Sequence, residues 1–311
     1  MRVTIIIRCF NEEKHIGQLL KGISKQITDH ELETIVVDSG STDDTLKIAK
    51  SYDTKIVNLK PENFSFGYAL NLGCQNATGD ILIFASAHVY PVYEYWIQEM
   101  TQPFSNKKIA LVYGRQRGNH LTKFSEKQLF KKWFPLVSDN NQAYAFCNNA
   151  NCAIRRDLWE AQNYDELLTG LEDLDWAKKI QDKGYKIAYN AKAEIVHVHE
   201  ETPERIYNRY RREAIALKRI LPDEKFSFFE FIKLFISNTF SDYYYAVSEG
   251  QLLKNIWDIP MFRYNQFLGT YKGYKQDQII TKSLRNRFYY PNKISNKSTS
   301  KLNEKHRPIK Y

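Results

Sequence analysis

Residues 34–45, TIVVDSGSTDDT, decide the fold class. Three apolar residues, Ile35, Val36 and Val37, run directly into Asp38, then Ser39-Gly40-Ser41 and Asp43-Asp44. A short apolar run closed by Gly, Ser and Asp reads as a buried strand ending in a polar loop. Asp43 or Asp44 can cap a helix that continues through Leu46, Ile48 and Ala49, since a carboxylate there accepts from amides the first helical turn leaves unpaired. The start of the chain repeats this grammar, with a strand over 3–7, a polar loop over 8–13 and a helix pattern over 15–23. In an open α/β sheet, ligands bind beyond the carboxyl ends of such strands. Two successive units of this kind form half of a nucleotide pocket.

The alternation continues. Strands are expected at 55–59, 81–85 and 109–113, and helices over 13–26, 43–52, 66–76 and 92–104. This pattern predicts a Rossmann-like, mostly parallel, twisted α/β sheet with helices on both faces. Residues 116–145 have no clean period and read as an inserted loop or short helices. A strand at 150–155 leads into a helix from Arg156. A helix over 173–183 stops at Gly184, a suitable C-cap. Two late strands are expected, at 186–189 and 194–198, and the pattern is helical from Pro203. The organisation is thus a sheet domain over 1–220, a C-terminal helical extension over 221–280 and a basic tail over 281–311.

With 311 residues, 43% of them apolar, the chain can bury a large core. Its four cysteines, Cys9, Cys74, Cys147 and Cys152, match neither a zinc pattern nor a small disulfide framework, so a reduced, cytoplasmic protein is expected. Met1-Arg2 leads straight into a strand, so no signal peptide is expected. No run of apolar residues is long enough to span a bilayer. The net charge of +9 is concentrated in 281–311, which carries nine Lys or Arg and one acid. Such a segment reads as a solvated, disordered end that can contact anionic lipid, with nucleic acid disfavoured as a partner. Within 226–247, Phe229, Ile232, Ile236, Phe240, Tyr243 and Val247 form one helical stripe. That stripe either packs on the sheet domain or lies in a membrane interface, with the basic tail as a second signal.

Acids and histidines collect at the expected strand ends. Asp38 follows the second strand, Ser86-Ala87-His88 follows the 81–85 strand, Glu172-Asp173 precedes a helix, and His197 and His199 mark the last strand. On one sheet edge these would place together a carboxylate for a nucleotide, imidazole for a metal or phosphate, and a carboxylate for proton abstraction.

With these residues the chain resembles the inverting family-2 glycosyltransferases of GT-A fold, of the type that builds bacterial surface polysaccharide. The matching segments are VTIIIRCFNEE (3–13), IVVDSGSTDDT (35–45), FSFGYALNLGCQNATGDILIFASAH (64–88) and GLEDLDW (170–176), with softer likeness at YGRQ (113–116) and FRYNQFLGTYKGY (262–274). The resemblance implies transfer of a sugar from a nucleotide diphosphate-sugar donor to a saccharide or lipid-linked acceptor, in the cytoplasm or at the inner face of the cell membrane. It implies that Arg8, Phe10 and Asn11 pack against base and ribose, that Asp38 hydrogen-bonds them, and that Gly67 and Asn71 border the diphosphate. Leu70 stands where the family carries an arginine, so a phosphate-binding cation must come from elsewhere, such as Lys60, Arg115 or Arg117.

At Ser86-Ala87-His88 the family's acidic pair is reduced to Ser86 and His88, both placed against the donor. His88, His197 and His199 are the implied metal ligands, and imidazole suits Mn²⁺ better than Mg²⁺. The alternative is a metal-independent site in which His88 donates directly to phosphate. Asp173 is the implied catalytic base, with Glu172 and Asp175 as neighbours that could serve instead, because a single displacement needs a carboxylate to take the acceptor's proton. Trp176 is either a sugar-stacking wall or a core residue. Asn148, Asn149 and Asn151 either bind sugar hydroxyls or form a turn. Two rival readings are a sugar nucleotidyltransferase, disfavoured because the 8–11 loop lacks glycine, and a nucleotide-sugar-binding protein that has lost catalysis, suggested by Ser86 and Leu70.

Overall fold

Strand β1 (Arg2–Cys9) shows how the sheet is built. Its side chains alternate between faces. Val3, Ile5 and Ile7 enter one buried layer, and Ile6 enters the other. Both faces are covered, so the strand is a continuous apolar run rather than an alternating one. The structure, a computed structural model, describes residues 1–276. After β1 come α1 (Ile16–Ser24), β2 (Glu31–Asp38), α2 (Thr45–Ala49), β3 (Lys55–Asn58), α3 (Phe66–Gln75), β4 (Ile81–Ser86), β5 (Val89–Pro91) and α4 (Trp96–Thr101). Then follow β6 (Ile109–Arg117), α5 (Phe124–Trp133), β7 (Asn151–Arg155), α6 (Arg156–Ala161), α7 (Glu172–Asp182) and β8 (Lys186–His197). Four helices close the described chain: α8 (Pro203–Ile220), α9 (Phe228–Ser248), α10 (Leu252–Asn255) and α11 (Asp258–Tyr274).

The strands form one sheet in the order β3-β2-β1-β4-β7-β6-β8-β5. The pairs β2–β3, β1–β2, β1–β4 and β6–β8 are parallel, whereas β7 runs antiparallel between β4 and β6, and β5 antiparallel to β8. Helices α1, α2 and α4 cover one face through Ile16, Leu19, Ala49 and Trp96. Helices α3, α5, α6 and α7 cover the other through Leu70, Phe130, Trp159 and Trp176. The loop signals act as expected: Asp43 Oδ1 accepts from Thr45 N (3.0 Å) at the start of α2, and Gly184, at φ +85°, ends α7.

Three expectations are corrected. The two late strands are a single strand, β8, whose pairing with β6 is irregular between Asn190 and Ile195, where Ala191 and Lys192 break the apolar pattern. Strand β5 was missed, because three residues are too few to show a period. In α9 the stripe, read either as packing on the sheet domain or as lying in a membrane interface, turns mostly outward, with Phe229 75% and Phe240 68% exposed. The inward face is Phe231, Thr239, Asp242 and Ala246. Asp242 decides this rotation: it holds Arg263 of α11 through two bonds of 2.7 and 2.9 Å in the interior, and Gln266 accepts from the same guanidinium at 2.8 Å. A paired buried charge of this kind is costly to expose singly, so it fixes which face turns in. Helices α8 and α11 cross closely at Gly269, where a Cβ would lie 2.4 Å from the Tyr207 carbonyl.

All four cysteines are buried free thiols. Among the described residues no helix is long and apolar enough to cross a membrane. The 281–311 segment and residues 277–280 lie outside the described residues.

Candidate active site

At the carboxyl ends of β1 and β4 a cleft of about 600 Å³ opens, with α8 forming its far wall. The β1–α1 loop contributes Arg8, Phe10, Asn11 and Glu12, and the β4–β5 turn contributes Ser86 and His88. Glu172 and Asp173 enter from the start of α7, and His197 and His199 from the end of β8.

Leu171, in the left-handed region at φ 56°, turns the chain so that Glu172 and Asp173 open α7. Asp173 Oδ2 accepts from Asn149 N (3.0 Å) and Oδ1 from Leu174 N (2.8 Å). Burial and the neighbouring Glu172 push the Asp173 carboxyl up to about 7, against the pull of those two amides and Arg8. A carboxylate balanced between its two forms near neutrality suits a general base. Beside it, the Asn149 side-chain amide is buried with neither polar atom bonded within the protein. Arg8 reaches Glu172 Oε1 at 3.4 Å. Arg8 and Arg212 also lie over the Phe66 ring, at 4.8 and 4.6 Å from its centroid.

The three histidines come together. Ring centroids of His88 and His197 are 5.2 Å apart, and those of His197 and His199 are 4.0 Å apart. One nitrogen of each ring lies within 4.8 Å of one nitrogen of each other ring. Every Nδ1 is engaged: His88 with Glu12 Oε1 (2.8 Å), His197 with Gln116 Oε1 (2.7 Å) and His199 with Glu126 Oε1 (2.7 Å). The partner oxygens only accept, so each Nδ1 carries the proton and each Nε2 is the nitrogen left for a ligand. His197 Nε2 is buried with no partner in the protein. Burial, then the neighbouring His199 and His88, hold His197 well below the usual imidazole range, so it is neutral. Burial also works against charge on His88, but the Glu12 carboxylate outweighs it and raises the group.

A second cluster, Glu126, His199 and Glu201, is different. The Arg209 guanidinium sits 2.8 Å from Glu126 and 2.7 Å from Glu201, so a cation is already built in. Despite burial, His199 and Arg209 hold Glu126 down to about 2. Of these two clusters, the three-imidazole one fits an added metal ion: it offers three ring nitrogens, each ring backed by an acceptor.

Residues 4–161 match the sequence profile of Glycosyl transferase family 2. The chain belongs to this family. It is 29% identical over 195 residues to the O-antigen chain rhamnosyltransferase WbaN of Salmonella anatum, a match spanning 59% of this chain and 62% of that protein's length. It is 30% identical over 223 residues to the O-antigen chain rhamnosyltransferase RfbN of Salmonella typhimurium, covering 68% of this chain and 70% of that one. Among solved structures, the mannosyltransferase PcManGT of Pyrobaculum calidifontis, in complex with GDP-Man and Mn²⁺, is similar at a TM-score of 0.59 and 17% identity, over 88% of this chain and 85% of that one. The glucosyl-3-phosphoglycerate synthase of Mycobacterium tuberculosis, with Mn²⁺ and UDP, is similar at 0.54 and 21%, over 70% of this chain and 79% of that one. At these identities the likeness shows the fold, which is GT-A as expected.

Within this family-2 chain the cleft gathers, of the residues singled out in the sequence, Arg8, Phe10, Asn11, Ser86, His88, Asn148, Asn149, Glu172, Asp173, His197 and His199. It does not gather the rest. Asp38 is 2% exposed, and its oxygens accept from the Gly40 and Ser41 amides (3.0 Å each) and the Cys9 thiol, so it holds the turn and does not line the cleft. Asn71 is buried away from the cleft, accepting from Trp159 Nε1 (3.0 Å) and Tyr164 N (3.1 Å). Gly67 packs on the Asp165 carbonyl, which lies 2.4 Å from where a Cβ would stand. Trp176 is fully buried core, Asn151 bonds Trp96 and the Ala193 carbonyl, and Asp175 pairs with Lys179.

Arg115 and Arg117 both pair with Glu194, and neither they nor Lys60 line the cleft. The cations that do are Arg8, Lys14 and, from α8, Arg205, Arg209 and Arg212. Sequence reasoning missed the α8 row, although the spacings of four and three residues place it on one helix face. It also missed the role of Glu12, whose signal was only an acid directly after Asn11.

Proposed function

We propose that this chain transfers a sugar, with inversion, from a nucleoside diphosphate donor to a saccharide or lipid-linked acceptor in the assembly of a surface polysaccharide. The observation that carries the reading is Asp173: a carboxyl raised to about 7, fixed by two amides, in a cleft whose opposite wall is arginine and imidazole. Asp173 takes the proton of the acceptor hydroxyl as that oxygen bonds to the anomeric carbon, and the bond from that carbon to the diphosphate breaks with its electron pair leaving on phosphate. Arg8, with Arg205 and Arg212 across the cleft, receives the departing charge, which makes these residues the replacement for the cation absent at Leu70. Phe10 and Asn11 hold the nucleoside, Ser86 contacts the donor, and the Asn149 amide accepts or donates to a sugar hydroxyl. His88, His197 and His199 would hold a divalent ion, Mn²⁺ in preference to Mg²⁺, which supplies positive charge to the leaving diphosphate.

Because two relatives are named as rhamnosyltransferases, a rhamnosyl donor is the first to test. The assay is release of nucleoside diphosphate from a panel of nucleotide-sugars with a divalent ion and saccharide or lipid-linked acceptors. Acceptor-dependent release supports transfer. Donor binding without release on any acceptor would instead make the chain a nucleotide-sugar-binding protein.

We also infer contact with an anionic membrane through α9 and the segment that follows it. Phe229, Phe240 and Tyr244 of α9, Leu253 of α10 and Trp257 before α11 are 68–88% exposed, and 281–311 adds nine basic residues against one acid. Aromatic burial in the headgroup region and attraction of Lys and Arg to anionic lipid reinforce one another. Sedimentation with anionic vesicles, lost in neutral vesicles and weakened by Phe240→Ser with Trp257→Ser, tests this contact. Equal recovery in both vesicle types would refute it.

A further inference from the structure

We propose that His88, His197 and His199 form a preorganised, nitrogen-only cation site that takes up a borderline transition metal, Zn²⁺ or Co²⁺ ahead of Mn²⁺, in the free protein before any nucleotide binds. The inference deepens the metal assignment within the transfer reading, but its test is independent of turnover.

Preorganisation follows from the sheet. His197 is the last residue of β8 and pairs across to Val89, the neighbour of His88. Val198 N donates to the His88 carbonyl at 3.1 Å, which ties the two segments together again just beyond that pair. His199 is two residues along the same segment. Backbone pairing thus sets the positions of all three rings, and no ligand is needed to assemble them. Ring orientation is set separately by Glu12, Gln116 and Glu126, each on a different element, which turn the three Nε2 atoms away from their partners. Acceptors behind metal-bound imidazoles fix tautomer and raise basicity in this way. Phe130 closes one side, lying 5.9 Å from the His197 ring and 6.0 Å from the His199 ring, so the remaining coordination positions face the cleft.

Ligand type decides the ion. Mg²⁺ demands oxygen ligands and gives up its waters reluctantly. Imidazole favours later first-row ions, with affinity rising from Mn²⁺ through Co²⁺, and Zn²⁺ also above Mn²⁺. No carboxylate belongs to the three-nitrogen set; Glu12 and Glu126 already spend an oxygen on the Nδ1 protons. His197 Nε2 adds an independent sign, since a buried nitrogen without a partner is an unmet acceptor.

The test uses the full chain, stripped with chelator and dialysed, and titrated with Co²⁺ while its visible d–d absorption is recorded. Saturable binding without nucleotide is expected, with Zn²⁺ displacing Co²⁺ and Mg²⁺ at about a thousandfold excess leaving it in place. His197→Gln should abolish the band. Gln116→Leu keeps all three imidazoles and should weaken Co²⁺ about 10–100-fold, which covers the case in which the His197 variant does not fold. Co²⁺ uptake that appears only after nucleoside diphosphate is added would overturn the proposal. So would equal competition by Mg²⁺, or unchanged uptake in both variants. Diphosphate release measured on the same samples separates the two claims: turnover without Co²⁺ binding sinks the metal site alone, whereas Co²⁺ binding without turnover upholds it and counts against transfer.

Discussion

Replacing Asp173 by Asn should abolish turnover and stabilise the protein at the same time. In the folded chain the carboxyl titrates at about 7 against an ordinary 3.8, a gap worth ~4 kcal/mol at 1.36 kcal/mol per pH unit. Between pH 4 and 7 the folded state holds a proton that the unfolded state has released, so stability falls as pH rises through that window and levels off above it. Asn cannot ionise, so the variant lacks this slope, while its amide oxygen can still accept from Asn149 N or Leu174 N. Water in the cleft screens part of the charge, which makes ~4 kcal/mol an upper limit and ~2 kcal/mol the expected gain at pH 8. Near pH 4 the two proteins should be equally stable. Denaturant unfolding at pH 4.5 and 8, with diphosphate release measured in parallel, checks both halves; loss of a general base should cost about 10²–10⁴ in rate. A variant that keeps turnover, or that is no more stable than the parent at pH 8, would refute the placement of a strained, ionising carboxylate at the reaction centre.

Three further outcomes are expected. Turnover of the unaltered protein should rise with pH through an acid limb near 7, and Arg8→Gln should move that limb upward, because Arg8 is one of the groups holding Asp173 down; a pH–rate profile with no limb between 6 and 8 would contradict this. Asp242→Ala should cost about 3–5 kcal/mol in denaturant unfolding, since it strands the buried Arg263 guanidinium. Asn71→Leu should lower the melting temperature while leaving donor KM nearly unchanged in the surviving folded fraction, because Asn71 serves Trp159 and Tyr164 and not the cleft; a raised KM with normal stability would restore its placement beside the diphosphate.

The first half of the sheet was legible because its signals are local. A strand buried on both faces must be apolar throughout, and 35–37 and 81–85 say so within three and five residues. Asp43 likewise accepts from an amide two positions away, and the Gly184 amide donates to the Gln181 carbonyl three positions back. The late strand was misread because its irregular pairing is set by β6, which no local pattern reveals. The outward turn of the α9 stripe is of the same kind: an apolar row predicts burial only if something covers it, and the Asp242–Arg263 pair, 21 residues apart, chose the other face.

For the site, the sequence by itself determined which chemistry was available: a carboxylate pair before a helix, histidines at strand ends, and an incomplete acidic motif at Ser86. Those features depend on residue identity and on strand-end position, which periodicity supplies. Only the tertiary structure decided who meets whom. It brought His88 from one strand turn to His197 and His199 on another, sent Asp38 and Asn71 inward to hold turns and loops, and set a row of arginines from α8 along the cleft wall. Such choices turn on distances of a few ångströms between segments a hundred residues apart, where packing, buried hydrogen bonds and charge pairing compete, and the outcome of that competition is not written in any one segment.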